Sequence, residues 1–110
     1  MRKDFSQQLG QRIIIPGGHK TQYFDVADIT YICCEDATVS IHTLDSSVST
    51  SKQLKDLEDE LADLGFIRIN RSTIINQAHI RSYTGGEKKS IELTNGQYFA
   101  VSRRKAHLFK

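Results

Sequence analysis

The chain reads as a mostly β protein of small antiparallel sheets, with one intervening α-helix and a short C-terminal helical turn. Three observations carry that reading. Short runs rich in Ile, Val, Thr and Tyr recur between Gly, Pro, Asn and Asp turn signals. A single leucine stripe, Leu54, Leu57, Leu61 and Leu64, advances by three and four residues, the spacing of one helix face. Asn95-Gly96 lies between two β-forming runs, and both residues tolerate the positive φ angles of a tight hairpin turn. The 110 residues, 38% hydrophobic and 25% charged, suffice for one domain with a small core.

Residues 1–10 are polar and read as a lead-in or linker remnant, with the domain proper at residues 11–110. Arg12-Ile13-Ile14-Ile15 is a short strand closed by Pro16-Gly17-Gly18, and Lys20 to Val26 returns to make a hairpin. Those glycines are turn residues, because neither a GxxxxGK[ST] pattern nor a helix follows them. Asp28 to Cys34 alternates Ile29, Tyr31 and Cys33 against Thr30, Ile32 and Cys34. Glu35-Asp36-Ala37 then turns the chain into a strand from Thr38 to Leu44, and Val48-Ser49 is a brief strand at most. Thr50 and Gln53 have the spacing of a capping box and open the leucine helix, which Gly65 stops. Its exposed face carries Asp56, Glu58, Asp59, Glu60 and Asp63, so it suits covering a sheet better than reading phosphates.

Beyond the helix, Phe66 to Ile69, Thr73 to Asn76 and Ile80 to Tyr83 are short strands. Lys89 to Thr94 and Gln97 to Val101 flank Asn95-Gly96. A strict two-residue loop there pairs Leu93 with Tyr98 and Ile91 with Ala100, which puts Phe99 and Val101 on the wrong face. A bulge or a longer loop restores the register. Ser102 has the character of an N-cap for a last turn from Arg103 to Phe109.

Composition excludes several classes of function. No apolar run approaches the roughly 18 residues of a membrane span, and the first residues lack the apolar core of a secretory signal, so a cytoplasmic protein is expected. Cys33 and Cys34 are adjacent, which offers neither a disulfide framework nor zinc-finger spacing. His19, His42, His79 and His107 are scattered without a metal-binding pattern, and Ser72 has no GxSxG elbow around it. Asp25, Asp28, Glu35 and Asp36 fit solvated turns. Neither an enzyme nor a metal or cofactor site is expected.

Charge gives the positive signal. Residues 1–64 hold six Lys/Arg against eleven Asp/Glu, a balance of −5, whereas residues 65–110 hold nine against two, a balance of +7. The overall +2 conceals a basic half. Its cations interleave with β-branched residues, as in Phe66-Ile67-Arg68-Ile69-Asn70-Arg71-Ser72, or stand beside turns, so structured elements hold them. Arg grips guanine or phosphate with two parallel bonds, Asn matches the adenine edge, and Lys neutralises phosphate. Arg68, Asn70 and Arg71, Lys88 and Lys89, and Arg103, Arg104 and Lys105 are accordingly candidate duplex contacts. Few aromatics are spare for stacking on single-stranded bases. The rival reading from another class is a protein-interaction or ligand-sensing β module that uses the acidic helix and strand edges.

The same residues carry a resemblance. Phe66-Ile67-Arg68-Ile69-Asn70-Arg71-Ser72, Ile75-Asn76, Ile80, Leu93-Thr94-Asn95-Gly96 and Val101-Ser102-Arg103-Arg104 resemble the LytTR family of bacterial DNA-binding domains. Asp28-Ile29-Thr30-Tyr31-Ile32 and the Leu54/Leu57/Leu61 helix match in order, and the resemblance spans about residues 11–109. It implies an elongated domain whose loops enter successive major grooves of double-stranded DNA. It implies Thr38 near bases or backbone, Arg71 and Arg104 as base readers, Arg68 on phosphate, and Ser72, Asn76, Ser102 and Arg103 in support. It also implies a two-component transcription regulator that binds paired direct repeats, as a possible homodimer on DNA, with a receiver or sensor part outside these 110 residues. The family commonly has His where this chain has Asn70, and larger or basic groups near Thr38, so the first loop is expected to contribute less.

Overall fold

The computed structural model describes residues 5–109. β1 (Arg12–Pro16) and β2 (Thr21–Asp25) form a two-stranded hairpin. β3 (Ile29–Glu35), β4 (Thr38–Thr43), β5 (Ser47–Thr50), β6 (Phe66–Asn70) and β7 (Thr73–Asn76) form a five-stranded sheet in the order β5-β4-β3-β7-β6. β8 (Ile80–Thr84), β9 (Ser90–Leu93) and β10 (Tyr98–Ala100) make a three-stranded sheet in the order β10-β9-β8. Every pairing is antiparallel. The α-helix α1 (Leu54–Leu61) joins β5 to β6. With extents of 47 × 33 × 24 Å, the molecule is elongated, as the resemblance implied.

The five-stranded sheet lies between two cores. On one side Ile32, Ile41 and Ile74 pack with Leu54, Leu57 and Leu61 of α1 and with Ile13 and Ile15 of β1. On the other, Tyr31, Ile69 and Ile75 meet Ile91, Leu93 and Val101. Strands buried on both faces need apolar residues at successive positions rather than alternate ones. That is why Ile74-Ile75 and Tyr31-Ile32 occur as adjacent pairs in the central strands β7 and β3. Each such burial stabilises the fold by roughly 1.5–3 kcal/mol.

Four local details depart from or sharpen the sequence reading. Thr50 is still extended and pairs with Val39, so no capping box forms; its Oγ1 accepts from the Lys52 N–H at 3.1 Å, and Gln53 stands at the N-cap without a side-chain cap bond. At the Asn95-Gly96 turn, the Gly96 N–H donates to Leu93 O and the Leu93 N–H to Gln97 O, both at 2.9 Å. Gly96 has φ 91°, so this is a three-residue loop with a glycine bulge. It pairs Phe99 with Ile91 and turns Phe99 onto Tyr31.

The C-terminal segment Arg103–Phe109 is a 3-10 helix, anchored by buried Ala106 and by Phe109 stacked on Tyr83. Phe5 to Leu9, expected to be part of a ragged lead-in, pack onto the domain. Gln8 is 2% exposed and donates through Nε2 to Leu64 O at 2.6 Å and to Asn76 Oδ1 at 2.9 Å. The Phe5 ring covers Gly65, whose φ of 88° ends the helical stretch as expected; a Cβ there would lie 2.8 Å from Phe5 Cε1. Residues 1–4 of the expected lead-in lie outside the described residues.

Candidate nucleic-acid interface

The antiparallel stacking brings several strand ends to one end of the molecule. β3 runs beside β7 with Cys33 opposite Thr73, and the Cys34 N–H donates to Ser72 O at 2.9 Å. The turn after β3 therefore stands next to the turn before β7. The Ser102 N–H donates to Ile69 O at 2.9 Å, which fixes the start of the C-terminal 3-10 helix beside β6. The Val101 N–H donates to Lys89 O at 2.9 Å and ties the β8–β9 loop to the same end.

Between α1, the β6–β7 turn and the 3-10 helix lies an open cleft of about 380 Å³, lined by Glu58, Arg68, Asn70, Arg71, Ser102, Arg104 and Lys105. Among the described residues four cations face one carboxylate there, so the cleft is electropositive. Arg71, at the tip of the turn, and Arg104, on the 3-10 helix, are both exposed. Among the described residues neither has a side-chain hydrogen bond or ion pair, which leaves both guanidinium forks able to engage a planar acceptor pair.

Their neighbours are engaged. The Arg68 fork donates from Nη1 to Glu58 Oε1 at 3.2 Å, from Nε to Asn70 O at 3.3 Å and from Nη2 to Arg71 O. Arg68, expected on phosphate, is bonded along its whole fork to α1 and to the turn. Asn70 Oδ1 accepts from the Ser72 N–H at 2.9 Å and from Ser72 Oγ at 3.1 Å, while its Nδ2 donates to Ala100 O at 2.8 Å. Asn70 thus closes the turn and links it to the three-stranded sheet.

Asn76, which the resemblance puts in support of the base readers, is wholly buried. Its Nδ2 donates to Ile29 O at 2.9 Å and its Oδ1 accepts from the Ala78 N–H at 3.0 Å. A side chain so enclosed holds the fold together and does not reach an external duplex. Lys88 and Arg103 are exposed, and Lys89 Nζ donates to Gly86 O at 2.7 Å. Thr38 is exposed beside the acidic pair Glu35 and Asp36.

Lys105, a candidate cation from the sequence, and Glu58, which was not among the candidate contacts, complete the cleft. Glu58 was assigned to the solvated acidic face, yet it lies four residues after Leu54 and three before Leu61. That spacing flanks the apolar stripe, the signal that could have placed it beside β6.

On the same face as Thr38, Cys33 Sγ approaches His42 Nε2 at 3.7 Å, and His42 stacks on Tyr31 with ring centroids 4.1 Å apart. Burial pushes the Cys33 thiol above its ordinary value, with Glu35 and Cys34 adding to the rise. It pushes the His42 imidazole down despite the opposing pull of Glu35. Both shifts favour the neutral forms, so the pair is not an activated thiolate. No cluster of three or more metal-ligating side chains is found among the described residues, and no helix there is long and apolar enough to cross a membrane.

Residues 19–110 match the family model of the LytTr DNA-binding domain. The chain belongs to the LytTR family. This LytTr domain is 28% identical, over its whole length, to the sensory transduction protein LytR of Staphylococcus haemolyticus, of which it spans 44%. Against the sensory transduction protein LytT of Bacillus subtilis it is 33% identical over 70 residues, 64% of the chain and 29% of that protein. The chain therefore spans less than half the length of either relative. A solved structure described as the LytTr DNA-binding domain of a response regulator from Bacillus cereus shares the fold, with a TM-score of 0.76 at 19% identity over 88% of this chain and 91% of that one.

Proposed function

We propose that this LytTr domain is the sequence-specific, double-stranded-DNA-binding output domain of a bacterial transcription regulator of the two-component type, working in the cytoplasm. The observation that carries the reading is the electropositive cleft whose two unengaged arginines, Arg71 and Arg104, stand on separate elements held in fixed relation. Arg71 and Arg104 read base edges in the major groove. Ser102, Arg103, Lys88, Lys89 and Lys105 hold phosphates on either side, and Ser72 supports the reading turn. Arg68 and Asn70 hold that turn from behind. Two copies on paired direct repeats, governed by a receiver or sensor part beyond this domain, complete the proposed assembly.

Selection of bound sequences from a random duplex pool, followed by anisotropy titration of the winner across a salt series, tests the reading. With about five phosphates neutralised, the log–log salt slope is about −4 to −5, and a short motif repeated at about one helical turn is enriched. A flat salt response or no enriched motif refutes it.

A further inference from the structure

The one carboxylate that the described residues place in the basic cleft, Glu58, belongs to the acidic helix, and its partner is the cation that the β6–β7 turn depends on. Arg68 bonds Glu58 with one end of its fork and the Asn70 and Arg71 carbonyls with the rest. Asn70 in turn holds the Ser72 N–H and hydroxyl, and Ala100 O across the sheets. The side chains of Arg68 and Glu58 are only 24% and 31% exposed, so the pair is partly shielded from competing solvent. A free Arg68 beside phosphates would swing outward as a simple cation and release both carbonyls. Glu58 opposes that by fixing one end of the fork to α1, a rigid element packed through Leu54, Leu57 and Leu61.

We propose that Glu58 is a positioning residue for sequence reading: through Arg68 and Asn70 it sets the β6–β7 turn, and hence Arg71, at the cost of a negative charge inside the DNA-binding face. This rests on the DNA-reading function proposed above. It makes a prediction of unusual sign, because removing a negative charge from a DNA-binding cleft ordinarily tightens binding to every sequence.

The test compares the wild-type domain with Glu58→Gln and Arg68→Lys on the selected duplex and on a scrambled one, alongside amide hydrogen exchange at Ser72 and thermal unfolding. Lysine keeps the charge of Arg68 but cannot span the three acceptors. The expected result is about tenfold weaker binding to the selected duplex in both variants. Binding to the scrambled duplex is unchanged or tighter, Ser72 exchange is faster, and the unfolding temperature is nearly unchanged. Equal tightening on both duplexes by Glu58→Gln overturns the proposal, since Glu58 would then act as a repulsive charge alone. Equal weakening on both, with a lowered unfolding temperature, overturns it as a general structural effect. If the wild-type domain prefers no sequence, the DNA-reading function fails. The Ser72 exchange rates need no DNA, and they still decide whether Glu58 holds the turn.

Discussion

The β3–β4 turn and the β6–β7 turn stand side by side at one end of the five-stranded sheet, yet their construction differs. The first, Glu35-Asp36-Ala37-Thr38, places Asp36 at φ 50° and Ala37 at φ 65°, the left-handed geometry of a tight hairpin. No side-chain hydrogen bond among the described residues braces it, and its charge is negative. The second, Asn70-Arg71-Ser72-Thr73, has no residue at positive φ and is braced by Arg68 and Asn70. Its charge is positive. A hairpin can be set by backbone preference alone, at the expense of a strained alanine, or by side chains that fix the tip from outside. Only the second leaves its exposed residue both fixed and chemically available, which is what reading a base edge demands.

Breaking this comparison begins with the exposed tips. Arg71→Ala should cost about 1–3 kcal/mol on the selected duplex and relax its sequence preference. Thr38→Ala, beside two carboxylates, should stay within about 0.5 kcal/mol on the same duplex. Anisotropy titrations of both variants against selected and scrambled duplexes decide it, and equal losses would mean that the two turns share the reading.

Asn70→Ala removes the acceptor for the Ser72 N–H and the donor to Ala100 O, so urea denaturation should show a loss of about 1–3 kcal/mol in stability. A change no larger than that of an exposed residue would show that the braces add nothing. Ala37→Gly relieves the left-handed strain of the unbraced turn, less the greater chain entropy of glycine, for a gain of about 0.5–1 kcal/mol in the same assay. The smallest effect is one of pH. Because burial lowers the His42 pKa, the unfolded chain binds the extra proton first as pH falls through the ordinary value of 6.5. The stability contributed by neutral His42 is present above that value and lost below it, so His42→Phe should flatten the slope of stability between about pH 7 and pH 5. An unchanged slope would remove His42 from the account.

Much of the fold was legible in local signals. The leucine stripe and Gly65 mark the helix, and the mismatch of Phe99 with Ile91 under a strict two-residue loop pointed to the bulge that Gly96 makes. Thr50 misled because capping-box spacing says nothing about whether the residue is already held in a strand. Asn76, put in support of the base readers by the resemblance, is enclosed by residues 5–9 through Gln8, a long-range contact that its sequence neighbours do not foreshadow.

The amino-acid order by itself determined the β-rich class, the single helix and the basic second half, because periodicity, turn chemistry and charge are local properties; the choice of Arg71 and Arg104 as proposed readers came with the family resemblance. Tertiary structure decided which of those groups are free. The Asn70 to Ala100 link joins residues thirty positions apart, and the Glu58 to Arg68 pair joins helix to strand. Both contacts exist only because the central sheet must bury two faces at once. That packing fixes the separation of the strand ends, and with it the division between residues that brace the turn and residues that face outward.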